Sequence, residues 1–471
     1  MAPARRRPAL GLSRAAAVLC MVQFVGVLGV SIGITPIPAM LESVGAGPAM
    51  EGPLATAYAM FFGGLLVLGA RLGRMFGPRK VLLAGLAGFG VGSAAGGLSL
   101  EAWHLVTARA LQGACAAISV PVALGLLLAV SPDERSRNQA LALWGAAGAV
   151  AGSGGFFVGG VLTDLWDWRS VFWLNLPMAV LLIVGVLTWI AANRAGEPGV
   201  SLDVVGASLL TGSVMAVVAG AALVEQEGSG PWGTVIMGLG VLGGLALAGW
   251  SRRAREPILP AAAIRNRRLA LGSAGSFINT AATSSTSVLL TLHLQQQSGL
   301  SAFGTGLLLL SVSGGAVAGS AAASVVIARS SRRAAVLSGL TLIAAANLAA
   351  AVAVETVAVE TVAVETVAVE TVAGIVAALA ALGAGLGLSS VGCINLGTDV
   401  PEAHTSTATG VLNTGAQLGT AIGVAALVLV AAPERYGTWS GTTVALVAGG
   451  TAALLTAAAM ARPLRRAEQP A

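Results

Sequence analysis

Fourteen apolar segments can be marked along the 471 residues, and nearly every Lys and Arg falls in every second gap between them. Hydrophobic residues are 56% of the chain, charged residues 10%, and mean hydropathy is +0.85. A soluble core cannot hold so much apolar sequence, so the chain reads as a polytopic membrane protein. The segments run over 15–40, 54–72, 81–100, 103–130, 138–162, 169–192, 204–224, 233–250, 269–292, 303–328, 334–353, 373–397, 405–431 and 441–461. Most are long enough to cross about 30 Å of hydrocarbon as a helix.

With the N-terminus placed in the cytoplasm, inner loops and tails hold 23 of the 26 basic residues, outer loops hold Arg169 and Arg435, and Arg109 lies inside the fourth segment. That imbalance is the positive-inside pattern. An even number of spans returns the C-terminus inside, so the expectation is a multi-pass protein of the cell inner (plasma) membrane with both termini cytoplasmic. The pI near 10.2 invites a nucleic-acid reading, but the basic residues are spread over short inner loops. They read as topology anchors and contacts to anionic lipid, with no nucleic-acid partner. Cys20, Cys115 and Cys393 all lie within spans and are odd in number, which supports neither a disulfide framework nor a Cys metal site. Arg5 to Arg7 before an apolar run imitate a cleaved signal. The run continues past Met40 without a small-residue cleavage site, so a retained first helix is expected.

The longest charged inner stretch, Ser251 to Arg268, divides the spans into six, an extra pair, and six more. The expected organisation is an inner tail over 1–14, a six-helix bundle over 15–192, a linking pair and inner loop over 193–268, a second six-helix bundle over 269–461, and an inner tail over 462–471. The fifth span reads WGAAGAVAGSGGFFVGGVL and the thirteenth GVLNTGAQLGTAIGVA. Gly148, Gly152, Gly155 and Gly159 in one, and Gly415, Gly419 and Gly423 in the other, put small residues on one helix face, where neighbouring helices can approach closely. Residues 352–371 repeat VAVET four times, placing Glu355, Glu360, Glu365 and Glu370 five apart. Five residues rotate a helix by about 500°, so the glutamates form no stripe. The repeat reads as a dispensable low-complexity insertion in the outer loop between spans eleven and twelve.

Between spans two and three the chain reads GARLGRMFGPRK, residues 69–80. Gly73 and Gly77 are expected to supply turn geometry, while Arg79 and Lys80 meet helix ends and headgroups. The fourth span carries TARALQGACAAISVP, residues 107–121. Arg109 lies about 9 Å inside its outer end by helix rise, and Gln112 and Gly113 share its face at i+3 and i+4. An intramembrane arginine is a functional candidate by default; the alternative is a structural arginine held by backbone carbonyls of the first helix.

The 69–80 loop, with Gly69, Gly73, Arg74, Gly77, Arg79 and Lys80, resembles the signature loop of the major facilitator superfamily, and 107–121 resembles that family's helix-four motif. WRSVFWLNLP at 168–177, SLDVVGASLL at 201–210, REPILPAAAIRNRR at 255–268, LHLQQQSGLS at 292–301 and TGVLNTGAQLGTAIGVA at 409–425 look like the fourteen-span drug:proton antiporter branch. The resemblance implies an all-α membrane protein with the major facilitator fold: two pseudo-symmetric six-helix bundles plus two linking transmembrane helices. It also implies a secondary exporter of drugs, dyes or a producer's own metabolites.

Three positions depart from that pattern. Arg74 stands where the family has a gating acid, Gly29, aligned on Pro38, where the first span has one, and Gly155-Phe156 where span five has Gly-Pro. With these spans every one of the 20 Asp and Glu residues falls in a loop or at a span end. Protons are therefore a candidate coupling partner with no intramembrane carboxylate to carry them, and proton linkage is expected to be weak or absent. The alternative is that a span-end acid, Glu42, Glu101 or Asp203, is drawn inward. His104, His293 and His404 read as interfacial polar residues.

By analogy with the two-half fold, spans one, four, nine and twelve line a central cavity. In span nine Asn279, Thr283, Thr286, Ser287 and Leu290 follow one helical face. They are candidate substrate contacts, with hydrogen bonding between helices as the alternative. Gln23, Ser31, Asn395, Asn413 and Gln417 are further candidates. The function expected is export of amphipathic small organic molecules by alternating access. The alternatives are a proton-independent facilitator and a non-transporting membrane sensor or scaffold. No nucleophile, metal cluster or phosphate loop points to an enzyme. No cofactor or metal is expected, and the partners are the substrate and the bilayer, with the chain acting as a monomer.

Overall fold

Inside a bilayer the backbone must satisfy its own hydrogen bonds, which leaves helices or closed barrels. This chain uses helices. The computed structural model describes residues 13–47, 50–131, 133–191, 196, 202–224, 231–254, 257–258, 266–296, 302–363, 369–400, 402–431, 435–436 and 439–461. Among them are fourteen long helices: α1 (Arg14–Ser31), α2 (Glu51–Phe76), α3 (Pro78–Gly97), α4 (Ala102–Ala129), α5 (Glu134–Leu165), α6 (Arg169–Trp189), α7 (Val204–Val224), α8 (Trp232–Trp250), α9 (Arg267–Gln296), α10 (Ala302–Arg329), α11 (Arg332–Ala363), α12 (Val369–Gly397), α13 (Glu402–Ala431) and α14 (Gly441–Ala461). Twelve are long and apolar enough to cross a membrane by themselves, and α5 makes a thirteenth as a pair bent by 45°. The remaining one is α9, whose Asn, Ser and Thr residues dilute its apolar surface.

Three expectations are corrected by the local geometry. The first span is not one helix over 15–40: α1 stops at Ser31, turns follow over 32–36, and a short helix runs Ile37–Ser43. Pro36 and Pro38 lack the N–H groups that a continuous helix would need there. The VAVET segment is not simply a loop, because α11 continues through its first copies to Ala363. At about 1.5 Å per residue those 32 residues outrun the hydrocarbon, so the repeat starts as a helical extension. Residues 364–368 lie outside the described residues, and α12 resumes at Val369. Gly73 lies within α2, so of the two glycines only Gly77, at φ 94, makes the turn into α3.

The bend in α5 falls between Gly152 and Phe157, where Gly154 and Gly155 sit. Glycines permit the bend without the proline that the family resemblance would place there.

Helices α1 to α6 pack on one another, as do α9 to α14, and the same contact recurs in each half. The glycine face of α5 lies on α1: an added methyl at Gly155 would collide with Ser31 Oγ, one at Gly159 with Ile32 O, one at Gly148 would come within 2.9 Å of Gln23 Nε2, and Gly152 stands over Val27. In α13 a methyl at Gly419 would collide with Phe277 O, one at Gly423 would come within 2.5 Å of Ala281 Cα, and one at Gly415 within 3.2 Å of Ser273 O. The first and fifth helices of each half therefore meet backbone to backbone through glycine.

The linking pair α7–α8 is tied down by Asp203. Its carboxylate accepts from Gly206 N, Ile258 N and Trp250 Nε1, each at 2.9 Å. Burial pulls this carboxyl upward, but those hydrogen bonds and the charge of Arg71 on α2 outweigh it and hold it below the usual carboxylate range. Helix α7 packs against both α2 and α13, so the pair braces one side of the seam between the halves.

Candidate functional site

Arg109 on α4 is only 2% exposed. Its Nη1 donates to Gly29 O at 2.5 Å and its Nη2 to Val30 O at 3.3 Å, and the guanidinium stands 4.8 Å from the centre of the Tyr58 ring. Both carbonyls belong to the last turn of α1, where the chain breaks off and the helix dipole is negative. The side chain thus occupies the end of a broken helix, and its Nε has no partner. Gln112 and Gly113, expected on the same face, turn to other neighbours. Gln112 Nε2 donates to Ser93 Oγ on α3 at 2.8 Å, while a methyl on Gly113 would strike the Tyr58 backbone of α2.

Tyr58 was not legible as a site residue. It is fully buried, its hydroxyl donates to Gly26 O at 2.7 Å, and its ring fills the space beside Gly29. A Cβ at Gly29 would sit 2.6 Å from the Tyr58 hydroxyl. The position that the family resemblance assigns to an acid is therefore taken by an aromatic ring. The only available sequence signal was that Tyr58 is one of two tyrosines in the chain and lies inside a span.

The carboxylates named as possible substitutes stay at the margins: Glu42 and Glu101 are exposed, and Asp203 is engaged as a helix cap. Of the other polar candidates, Ser31 is buried between α1 and α5, donating to Ala151 O at 3.1 Å. Asn279 donates to Ser390 Oγ on α12 at 2.8 Å, and Thr286 Oγ1 lies 2.6 Å from Asn347 Oδ1 on α11. Thr283, Ser287, Asn395 and Asn413 bond carbonyls of their own helices. Gln23 and Gln417 are half-buried, and Gln23 Oε1 has no partner. The polar face of α9 is therefore spent on bonds within the protein, Asn279 and Thr286 to neighbouring helices and Thr283 and Ser287 to α9 itself. The side chain of His404 lies outside the described residues.

In the signature loop Arg79 Nη2 donates to Leu187 O at the end of α6 at 2.8 Å, Lys80 is exposed, and Arg74 falls in the last turn of α2. Gly69 and Gly73 serve packing: methyls there would lie 2.5 Å from Ala117 O and 2.8 Å from Val122 on α4.

At this same basic end the two halves are clasped by residues that the sequence did not single out. Arg332 at the start of α11 reaches Glu134 at the start of α5 at 3.7 Å and Asp399 beyond α12 at 2.9 Å. Arg268 also pairs with Asp399, and Arg137 Nη2 donates to Thr398 Oγ1 at 2.9 Å. Deeper in, Gly145 of α5 faces Ser320 and Val391, and Gly410 of α13 abuts Val67 of α2. The halves are thus closed against each other at the basic end.

Replacing Arg332 with alanine removes both of its bridges. Half-exposed pairs of this kind contribute up to about 1 kcal/mol each and are screened by salt. The Glu134 bridge is the one of the two that crosses between the halves, so the basic end is expected to open up to about fivefold more often. The rate at which a maleimide labels V391C is the readout, and an unchanged rate in R332A would remove the clasp from the gating scheme.

The family model described as Major Facilitator Superfamily matches residues 19–204. That stretch takes in most of the first half of the chain. The chain is 29% identical to a puromycin resistance protein of Streptomyces alboniger over 92% of its own length and 85% of that one. It is also 29% identical to a lincomycin resistance protein of Streptomyces lincolnensis over 96% and 92% of the two chains. A cephamycin export protein of Amycolatopsis lactamdurans is 31% identical over 61% of this chain and 60% of its own length. Among solved structures, the human organic anion transporter MFSD10 superposes with TM-score 0.65 at 15% identity, covering 97% of this chain and all of that one, which speaks to the fold alone. The pairing of α1 with α5 and of α9 with α13 gives the two halves of that fold one contact, made through particular glycines.

Proposed function

We propose that this chain is a secondary exporter of amphipathic small organic molecules, antibiotics among them, in which the two halves rock about a midplane site. The observation that carries the reading is the repetition of one glycine-mediated contact in two six-helix bundles that meet across a clasp at the basic end. The similarity to proteins named for puromycin and lincomycin resistance gives the substrate class. Half-buried Gln23 and Gln417 are its substrate-facing candidates, since most of the other polar groups are already bonded. The basic end faces the cytoplasm of a cell with this protein in its plasma membrane, by the positive-inside rule. In that orientation the clasp closes the cytoplasmic side, which favours an outward-facing state.

The reading is tested by producing the chain in a host stripped of its own exporters and measuring growth inhibition by puromycin and lincomycin, with R109A as the control. Increased resistance with the wild type alone supports it. Unchanged sensitivity to both compounds, with the protein present in the membrane, speaks against it.

Orientation has its own check. The three native cysteines are buried and free, so T361C can be labelled against a low background. An impermeant maleimide added to intact cells is expected to modify T361C, and labelling only after lysis would invert the topology. Deleting residues 357–371 should leave export intact, whereas removing the first copy should not. Glu355 in that copy accepts a hydrogen bond from Ser440 N, at the start of α14, at 2.8 Å.

A further inference from the structure

Helix α9 carries Asn279, Thr283, Thr286 and His293 along one face, at steps of four, three and seven residues. The first three are bonded to α12, to α9 itself and to α11. His293, at the outer end of this column, is 3% exposed, and neither ring nitrogen has a partner. It lies next to Leu294, which belongs to the buried core of the second half together with Val354 and Ile375.

A neutral imidazole always presents one donor and one acceptor. Leaving both unmatched on a buried ring is rare in folded proteins and calls for an explanation. Among the described residues, the charged group that acts on this ring is Glu355, from the first VAVET copy on α11. Its carboxylate is steadied by Ser440 N at the N-terminus of α14. The described side chains on the outer halves of α10, α12, α13 and α14 include no further titratable group. A proton fits this site: it occupies the orphan acceptor and creates a cation opposite a fixed anion, drawing α9, α11 and α14 together.

We propose that His293 is a proton-binding site at the outer end of α9, with Glu355 as its counter-charge, and that its occupancy makes transport depend on external pH. The second clause rests on the exporter reading; the first does not. Weak proton linkage was expected because no carboxylate lies within a span and His293 reads from sequence as an interfacial polar residue; its burial among α9 and α11 side chains corrects that reading. A proton bound there biases alternating access because it stabilises the state in which α9 and α11 hold together.

The chain has three histidines, His104, His293 and His404, so nuclear magnetic resonance of purified protein labelled at the histidine ring carbons can follow each one. The His293 signal, assigned by its loss in H293Q and again in H293N, is expected to titrate as the pH is lowered. In E355Q, which keeps the histidine, its proton affinity should fall at least about threefold. A signal that does not titrate, or an affinity untouched by E355Q, overturns the site.

In proteoliposomes held at zero membrane potential, the ratio of puromycin flux at external pH near 6 to that near 8 should differ from one by about threefold or more in the wild type and approach one in H293Q. A wild-type ratio in H293Q, or a flat ratio in the wild type, overturns the link to transport. Absence of puromycin flux in the wild type at either pH would instead count against the exporter reading for this compound, and the resonance titration would still decide the proton site.

Discussion

Replacing Arg109 with alanine is expected to abolish export and to destabilise the protein by on the order of 3 kcal/mol, because two charge-assisted hydrogen bonds to buried carbonyls disappear together. Gly29 O and Val30 O terminate α1 inside the bundle, and nothing else on α4 replaces the guanidinium. Without it the negative end of a broken helix faces a void next to Tyr58. Lysine is a poor substitute: it keeps the charge but presents a single compact head to two carbonyls and stacks less well over the ring. R109K should therefore recover part of the thermal stability and little of the flux. Purified variants compared by thermal unfolding and by antibiotic resistance in cells separate the two effects. An R109A protein that exports at the wild-type rate would show that the end of α1 needs no cation.

Much of this architecture was legible because membrane insertion imposes a strong code. Alternation of basic and apolar stretches gave the helix count, and the glycine spacing in 144–162 and 410–425 marked the faces on which α5 and α13 lie against α1 and α9. The break after Ser31 was also written in Pro36 and Pro38, but continuous hydrophobicity to Met40 masked it. The VAVET repeat misled for a different reason. A five-residue period gives no amphipathic stripe, yet α11 is already nucleated below it, and extending a helix is far easier than starting one.

What sequence could not supply was partnership. Glu134, Arg332 and Asp399 look like any other charged residues at span ends, and only folding sets Arg332 between the two acids. Likewise the polar face of α9 was visible, but whether its hydroxyls met a ligand or other helices depended on Ser390 and Asn347, more than sixty residues away in sequence. Those partners tie Asn279 and Thr286 to neighbouring helices, Thr283 and Ser287 turn back on α9 itself, and His293 is left as the exception.

The relation between Gly29 and Tyr58 yields the other large effect. Putting back the acid that the family resemblance assigns to the first span, as G29D, should by itself destroy export and lower stability. The added Cβ would stand 2.6 Å from the Tyr58 hydroxyl and 2.8 Å from the ring, and Tyr58, fully buried between α1 and α4, has no room to withdraw. Overpacking of this kind typically costs about 1–3 kcal/mol before any effect of the new charge is counted. The charge itself is favourable, because Arg109 already bonds the Gly29 carbonyl.

Shortening the ring residue should then rescue the acid. In G29D/Y58A the space vacated by the ring accepts the carboxylate, which pairs with the guanidinium where the ring had faced it. The double variant is expected to be more stable than G29D alone, although Y58A by itself leaves a cavity and destabilises. That sign reversal is a coupling that independent sites do not show. Thermal unfolding of the four proteins in the cycle measures it directly. If Y58A lowers the stability of G29D by as much as it lowers that of the wild type, then the ring does not stand in the place of the acid, and the absence of a carboxylate from the first span needs another explanation.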